Sequence, residues 1–166
     1  MILDLLPEGS PFLLERVDEF SFEDPTHDPK GIAADLIETM NHHKAFGLAA
    51  NQCGVGVRAF ALAPLPNTEK PIVCFNPEII QLSENIVNGG EGCLSFPGLE
   101  LTIPRPILVV VRYHNEDGML IETQFANMHA RGFLHELDHL NGIVFTSYVS
   151  KLKLDMAKKR RKKYAK

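Results

Sequence analysis

The sequence predicts an α+β fold. Apolar residues at helical spacing frame a central block of β-rich runs, and the order reads helix, several strands, helix, strand, helix. That order argues against a doubly wound parallel sheet, in which strands and helices alternate throughout.

Pro25 to Lys30 is a turn-rich lead into the first helix, and from about Lys30 to Lys44 the residues Ile32, Leu36, Ile37 and Met40 recur at helical spacing. The stretch AFGLAANQCGVGV that follows has little helix or strand character. Val57–Ala63 and Ile72–Phe75 read as strands, and Asn76-Pro77 as a turn. Residues 84–99, rich in Gly, Asn and Ser, read as a loop with one short extended piece. Ile107–Tyr113 is β-rich and Met119–Phe125 alternates. Between them, His114-Asn115-Glu116-Asp117-Gly118 supplies hairpin chemistry, since Asp-Gly favours positive φ. Met128 to Leu140 is helical, with Asn141-Gly142 as its stop. Ile143–Tyr148 reads as a short strand, and from about Val149 the tail suits a basic helix. No repeat or long linker interrupts the chain, so the expectation is one catalytic domain over 1–150 and a basic, helical C-terminal tail over 151–166.

The chain has 166 residues, 45% apolar and 23% charged, which suits one soluble domain with a sizeable core. No apolar run approaches the roughly 20 residues that span a bilayer. The N-terminus lacks a basic flank and a small-residue cleavage site, so no secretory signal is expected. Cys53, Cys74 and Cys93 are an odd, sparse set, which reads as reduced thiols in a cytoplasmic setting rather than a disulfide framework. The net charge of −4 hides an asymmetry: residues 1–150 carry −12 and residues 151–166 carry +8, which points to an anionic partner for the tail.

His135-Glu136-Leu137-Asp138-His139 carries the clearest chemistry. Two histidines four residues apart lie on one helical face, where both imidazoles can grip one metal ion, and Glu136 beside them can take a proton from a metal-activated water. A hydrolytic ion needs a third protein ligand and an open position. Phe145 stands where one protease plan has a third His, and no Glu follows Glu136 to serve the other plan, so the third ligand must come from upstream. Cys93, in Glu91-Gly92-Cys93-Leu94-Ser95 with small neighbours, is the best candidate. Cys74, inside an apolar strand, reads as core, and Cys53 stays open. His27, His42 and His43 read as surface residues on or near the first helix, His114 as a solvated turn residue, and His129 is out of phase with the pair.

Three motifs in order, Gly47-Leu48-Ala49-Ala50-Asn51-Gln52, Glu91 to Ser95, and His135 to His139, make the chain resemble the peptide deformylases over essentially its whole length. The resemblance implies antiparallel sheets around a central metal-binding helix. It also implies a metal-dependent amidohydrolase that removes the N-formyl group from N-formylmethionyl nascent peptides and releases formate. Cys93, His135 and His139 would hold one metal ion per chain, natively Fe²⁺, with Zn²⁺, Ni²⁺ or Co²⁺ as substitutes. Glu136 would be the general base, while the Gln52 side chain and the Leu94 backbone N–H would stabilise the oxyanion. Gly47 would let the substrate backbone come close. Phe46, Met128, Arg131 and Gly132 are the expected walls of a methionine pocket, from the family match and from helix phase. Two departures are visible: Ala45 stands where the family usually has Gly, and Leu134 where it usually has Gln. For the tail, the resemblance implies ribosome binding through residues 158–166, with phosphates as the anionic partner.

Overall fold

Helix α1 (Pro29–His42) starts where Asp28 caps it. The Asp28 carboxylate accepts hydrogen bonds from the backbone N–H groups of Lys30 (3.1 Å) and Gly31 (3.0 Å), and Pro29 fills a first-turn position that needs no donor. The computed structural model describes residues 1–23 and 26–164, so Pro25 of the expected lead-in lies outside the described residues.

Five strands form one antiparallel sheet in the order β1 (Gly47–Ala49), β2 (Ala59–Leu62), β3 (Ile72–Leu82), β6 (Leu108–His114), β7 (Leu120–Ala126). β4 (Ile86–Cys93) and β5 (Phe96–Pro106) form a separate two-stranded antiparallel ribbon. Strand β2 is buried along its whole length, and its period-2 alternation explains why. Ala59 and Ala61 face α1, whose Leu36 and Met40 sit close against them. Phe60 and Leu62 face α2 (Asn127–Leu140), whose Ala130, Phe133 and Leu137 join Val109, Val111 and Phe125 in a second cluster. The rings of Phe60 and Phe133 meet edge to face, 5.2 Å between centroids.

Helix α2 is therefore central. The five-stranded sheet covers one side and the β4–β5 ribbon covers the other, where Arg131 donates to the carbonyls of Val87 and Ile103, both at 2.8 Å. Ten of its fourteen residues are buried, polar ones among them. Its C-terminal carbonyls are taken by backbone N–H groups of Val17 and of Asn141 to Ile143, and the last two also by side chains from elsewhere. Asn51 donates to the His139 carbonyl at 2.7 Å, and Arg58 to that of Leu140 at 3.0 Å. Helix α3 (Lys151–Tyr164) lays Leu154 and Ala157 onto β5, beside Phe96, Leu99, Leu101 and Phe145. Among the described residues, no helix is long and apolar enough to cross a membrane.

Four local expectations give way. Asn76-Pro77 is not a turn: β3 continues through it, with a bulge against β6 between Phe75 and Glu78. Asn76 takes φ +47° and its side-chain amide clasps both backbone groups of Phe20, which lets a strand carry a proline at a bulge. Residues 84–99 are not a loop but β4, a tight connection and the start of β5. Most of β4 is solvent-facing, so it shows no apolar alternation. Ile143–Tyr148 is not a strand: Phe145–Tyr148 forms a 3₁₀ turn that drops Phe145 into the core beneath α2. The Gly/Ala stretch holds β1 and a 3₁₀ turn at Ala50–Cys53. The 115–118 hairpin follows its expected chemistry, with Gly118 at φ +76° and the Asn115 side chain accepting from the N–H groups of Asp117 and Met119.

Gly142 ends α2 at φ +72°, and a Cβ there would lie 2.5 Å from the Leu14 carbonyl oxygen. Gly142→Ala combines left-handed strain with a backbone clash. It is expected to destabilise the fold by about 2 kcal/mol or more, read as a lower urea midpoint at unchanged slope.

Candidate metal centre and active site

One turn of α2 separates His135 from His139, and their rings lie 5.1 Å apart. Cys93, at the end of β4, brings its Sγ to 3.2 Å from His139 Nε2, and a bulge between Glu91 and Cys93 sets its aim. The ligating atoms of Cys93, His135 and His139 all lie within 4.8 Å of one another. A tetrahedral ion with bonds of about 2.3 Å to sulfur and about 2.0 Å to nitrogen needs such a cluster, so small side-chain rotations close the three donors on one ion. Burial holds the His139 imidazole well below its usual pKa, in the neutral form that can donate a lone pair. His139 Nδ1 and Glu136 Oε2 are both buried without a protein partner. A donor set of one thiol and two imidazoles beside an unpaired carboxyl fits a hydrolytic metal.

The ligands are held by a charge cluster centred on Glu91. Arg105 grips this carboxylate with two bonds of 2.9 Å, Arg131 adds one of 2.7 Å, and His135 Nδ1 adds one of 2.8 Å. The last bond commits Nδ1 to Glu91, so Nε2 is the His135 nitrogen that could meet an ion. Burial alone would raise the Glu91 carboxyl, but the bonds from Arg105 and His135 outweigh it and hold the group down at about 2. Arg105 reaches on to Asp138 at 2.7 Å and lies over the ring of Tyr148, whose hydroxyl also donates to Asp138 at 2.8 Å.

Glu136 sits on the same turn of α2, fully enclosed, and burial pushes its carboxyl up to about 7. Gly47 allows this: a Cβ at residue 47 would lie 2.5 Å from Glu136 Oε1. Gln52 accepts from the Ala49 N–H at 2.9 Å, which fixes the amide, and its Nε2 points to Ser95 Oγ (3.0 Å) and Cys93 Sγ (3.5 Å).

A cleft of about 680 Å³ opens onto these groups. Gly47, Gln52, Leu94 and Cys93 line it, as do Phe46, Met128, Arg131 and Gly132. The Phe46 ring rests on Gly132, where a Cβ would come within 2.7 Å of it. Met128 is half-exposed at the rim rather than core. Arg131 is buried, and its guanidinium is committed to Glu91 and the ribbon carbonyls. Ala45 does not take positive φ; Lys44 does, at +52°, so the departure at 45 brings no backbone strain. Leu134 is buried in the core between α2 and the sheet.

The other candidates lie apart. Cys74 is fully buried in the core, and Cys53 is half-buried with its thiol pushed up to about 11 by burial. His27, His42 and His43 are exposed. His114 is half-buried against Phe22 rather than solvated. His129 is buried and faces the carbonyls of Ala63 and Pro64 at 3.1 and 3.0 Å. Phe145, in the place of a downstream ligand, packs on the His135 ring at 5.6 Å. The supporting roles of Glu91, Arg105, Asp138 and Asn51 were missed from sequence. Asn51, Glu91 and Asp138 each stand inside one of the three motifs, which was their only signal, and Arg105 had none.

The family model for polypeptide deformylase matches residues 2–155. The chain belongs to the polypeptide deformylase family. It is a metal-dependent hydrolase that removes the N-formyl group from nascent peptides. It is 41% identical to the peptide deformylase of Bartonella henselae over 137 residues, covering 81% of this chain and 78% of that one. It is 39% identical to that of Afipia carboxidovorans over 155 residues, covering 92% and 90%. The solved peptide deformylase of Ehrlichia chaffeensis superposes with a TM-score of 0.87 at 32% identity, over 98% of this chain and 96% of that one. A class I type b peptide deformylase from Acinetobacter baumannii, with Met-Ala-Ser bound, superposes with a TM-score of 0.82 at 30% identity, over 90% and 99%.

Glu91→Gln leaves Arg131 and Arg105 short of a buried counter-charge. The expected cost is about 3 kcal/mol of stability, with metal affinity weakened roughly 10- to 100-fold, measured by denaturant titration and by competition with a chelator. Because the folded pKa of about 2 lies below the usual 4.5, Glu91's contribution is complete above about pH 4.5 and is lost as pH falls toward 2. The wild-type acid-unfolding curve should therefore lose its advantage over the variant within that window.

Proposed function

We propose that Cys93, His135 and His139 hold one Fe²⁺, with Zn²⁺, Ni²⁺ or Co²⁺ able to replace it, and that Glu136 is the general base acting on the formyl amide of N-formylmethionyl peptides. One observation carries this reading: three ligand atoms and an unpaired buried carboxyl converge at the floor of the cleft. A thiolate with two imidazoles suits Fe²⁺ or Zn²⁺. Bound there, the ion lowers the pKa of water and polarises the formyl oxygen.

Glu136 takes the proton from the attacking water and returns it to the amine nitrogen as the C–N bond breaks, so formate and a free N-terminus leave. A carboxyl tuned by burial to about 7 can do both near neutral pH. Gln52 Nε2, fixed through the Ala49 bond, donates to the oxygen that gains charge, and the Leu94 N–H is its partner in this role. Phe46, Met128, Arg131 and Gly132 enclose the methionine side chain, with Arg131 contributing its stem because its guanidinium is bound elsewhere. β1 is an edge strand beside the cleft, so an extended peptide can add to it by backbone hydrogen bonds. The enzyme works in the cytoplasm, where Cys93 stays reduced.

Met-Ala-Ser, the peptide bound by the Acinetobacter baumannii relative, differs from formyl-Met-Ala-Ser by the formyl group alone. Metal-loaded protein, kept anaerobic and reducing, should release formate from formyl-Met-Ala-Ser. Glu136→Ala should keep its metal and lose turnover by about 10²- to 10⁴-fold; substantial turnover in a metal-loaded variant sinks the assigned base.

The basic residues of α3 extend the proposal to ribosomal RNA. Lys158, Lys159, Arg160, Lys162 and Lys163 carry no ion pair among the described residues. Removing residues 158–166 should weaken ribosome binding in co-sedimentation at low salt while formate release from the short peptide persists. Undiminished binding refutes the tail's role.

A further inference from the structure

Among the described residues, one charge lining the cleft has no partner. Of its charged lining residues, Glu91 and Arg131 are tied to each other at 2.7 Å and Glu136 is enclosed. Lys44 is exposed, and its ammonium has no hydrogen bond or ion pair among the described residues. Beside it on the rim, His43 can add positive charge but never negative. Leu94, Pro97, Gly98 and Met128 bring none. Glu8 is already taken by Arg161 at 2.8 Å.

Position along the cleft sets which part of a substrate this cation meets. Lys44 stands three residues before Gly47, whose backbone lies against Glu136. The turn at Lys44 and the bend at Phe46 keep this segment short of full extension, so its backbone spans at most about 10 Å. A formyl peptide whose carbonyl carbon sits at Glu136 and whose chain runs back along the edge of β1 covers about the same distance by its third residue. The lysine stem adds about 6 Å of reach, which absorbs the bend that φ +52° puts in the backbone.

We propose that Lys44 selects substrates by charge at the third residue of the formyl peptide, favouring Asp or Glu there over Lys or Arg. This rests on the cleft assignment above and goes beyond it, because the methionine pocket and the metal centre carry no such preference. The effect is that of an exposed ion pair, so it is modest and screened by salt.

The test compares kcat/KM for formate release from formyl-Met-Ala-Glu and formyl-Met-Ala-Lys, using metal-loaded full-length enzyme. At about 20 mM salt the Glu peptide should be favoured roughly two- to fivefold, and at about 0.5 M the ratio should approach one. Lys44→Glu should invert the low-salt ratio, and Lys44→Gln, one atom shorter, polar and uncharged, should bring it near one. A ratio that neither variant moves, or that salt leaves unchanged, overturns the role of Lys44 while formate release still supports the hydrolase site. Absence of formate from both peptides overturns the site assignment, and this inference with it.

Discussion

The buried Glu91 carboxylate is the constraint on which the site depends. It joins two bodies that share little apolar contact, the β4–β5 ribbon and helix α2. A buried carboxylate is costly on its own, and two guanidinium groups and an imidazole offset that cost here because every lone pair on both oxygens has a donor in reach. Cys93 lies two residues further along the same strand. Fixing Glu91 against His135 therefore also fixes how far the thiol stands from the two imidazoles. One interaction sets the ribbon's position, the committed nitrogen of one imidazole and the approach of the thiol.

Small residues make the second half of the site possible. Glu136 is enclosed because Gly47 leaves room for its carboxyl, and Phe46 reaches the floor of the pocket because Gly132 leaves room for its ring. The enclosure then tunes the group: with no cation bonded to it, the Glu136 carboxyl rises toward neutrality, while Glu91 on β4, bonded to Arg105, Arg131 and His135, falls far below. Two glutamates of the same protein thus end with opposite proton affinities, one a fixed anion and one held near neutrality, by the partners each is given.

Much of this was legible in the chain. The helices were, because Leu36, Met40, Phe133 and Leu137 repeat at the period of the buried face, and Asn141-Gly142 and Asp117-Gly118 have few other uses. The clustering of His135 and His139 was legible because both belong to one helix face, and that of Cys93 because its neighbours are small. The ribbon was not. Strand β4 is mostly solvent-facing and so shows no apolar pattern, and glycine at 89 is demanded by the Arg131 guanidinium of α2, 2.7 Å from where a Cβ would be. The charge cluster left no trace either, since Arg105 and Arg131 lie 14 and 40 residues from Glu91 and nothing periodic links them. Arg131 was read as a pocket wall; it lines the cleft, but its charge belongs to the scaffold. The bulge at Asn76 and the 3₁₀ turn at Phe145 arise from single tertiary contacts that no local pattern encodes.

The way His139 is anchored has a consequence for metal exchange. Its backbone is pinned by Asn51 and its helix end by Arg58, while the other two ligands are pinned through Glu91. None of these bonds involves the ion. The centre is thus a socket rather than a staple: its shape is the property of the polypeptide, and the occupant can change without the wall being rebuilt. That sets it apart from small zinc domains that unfold when stripped.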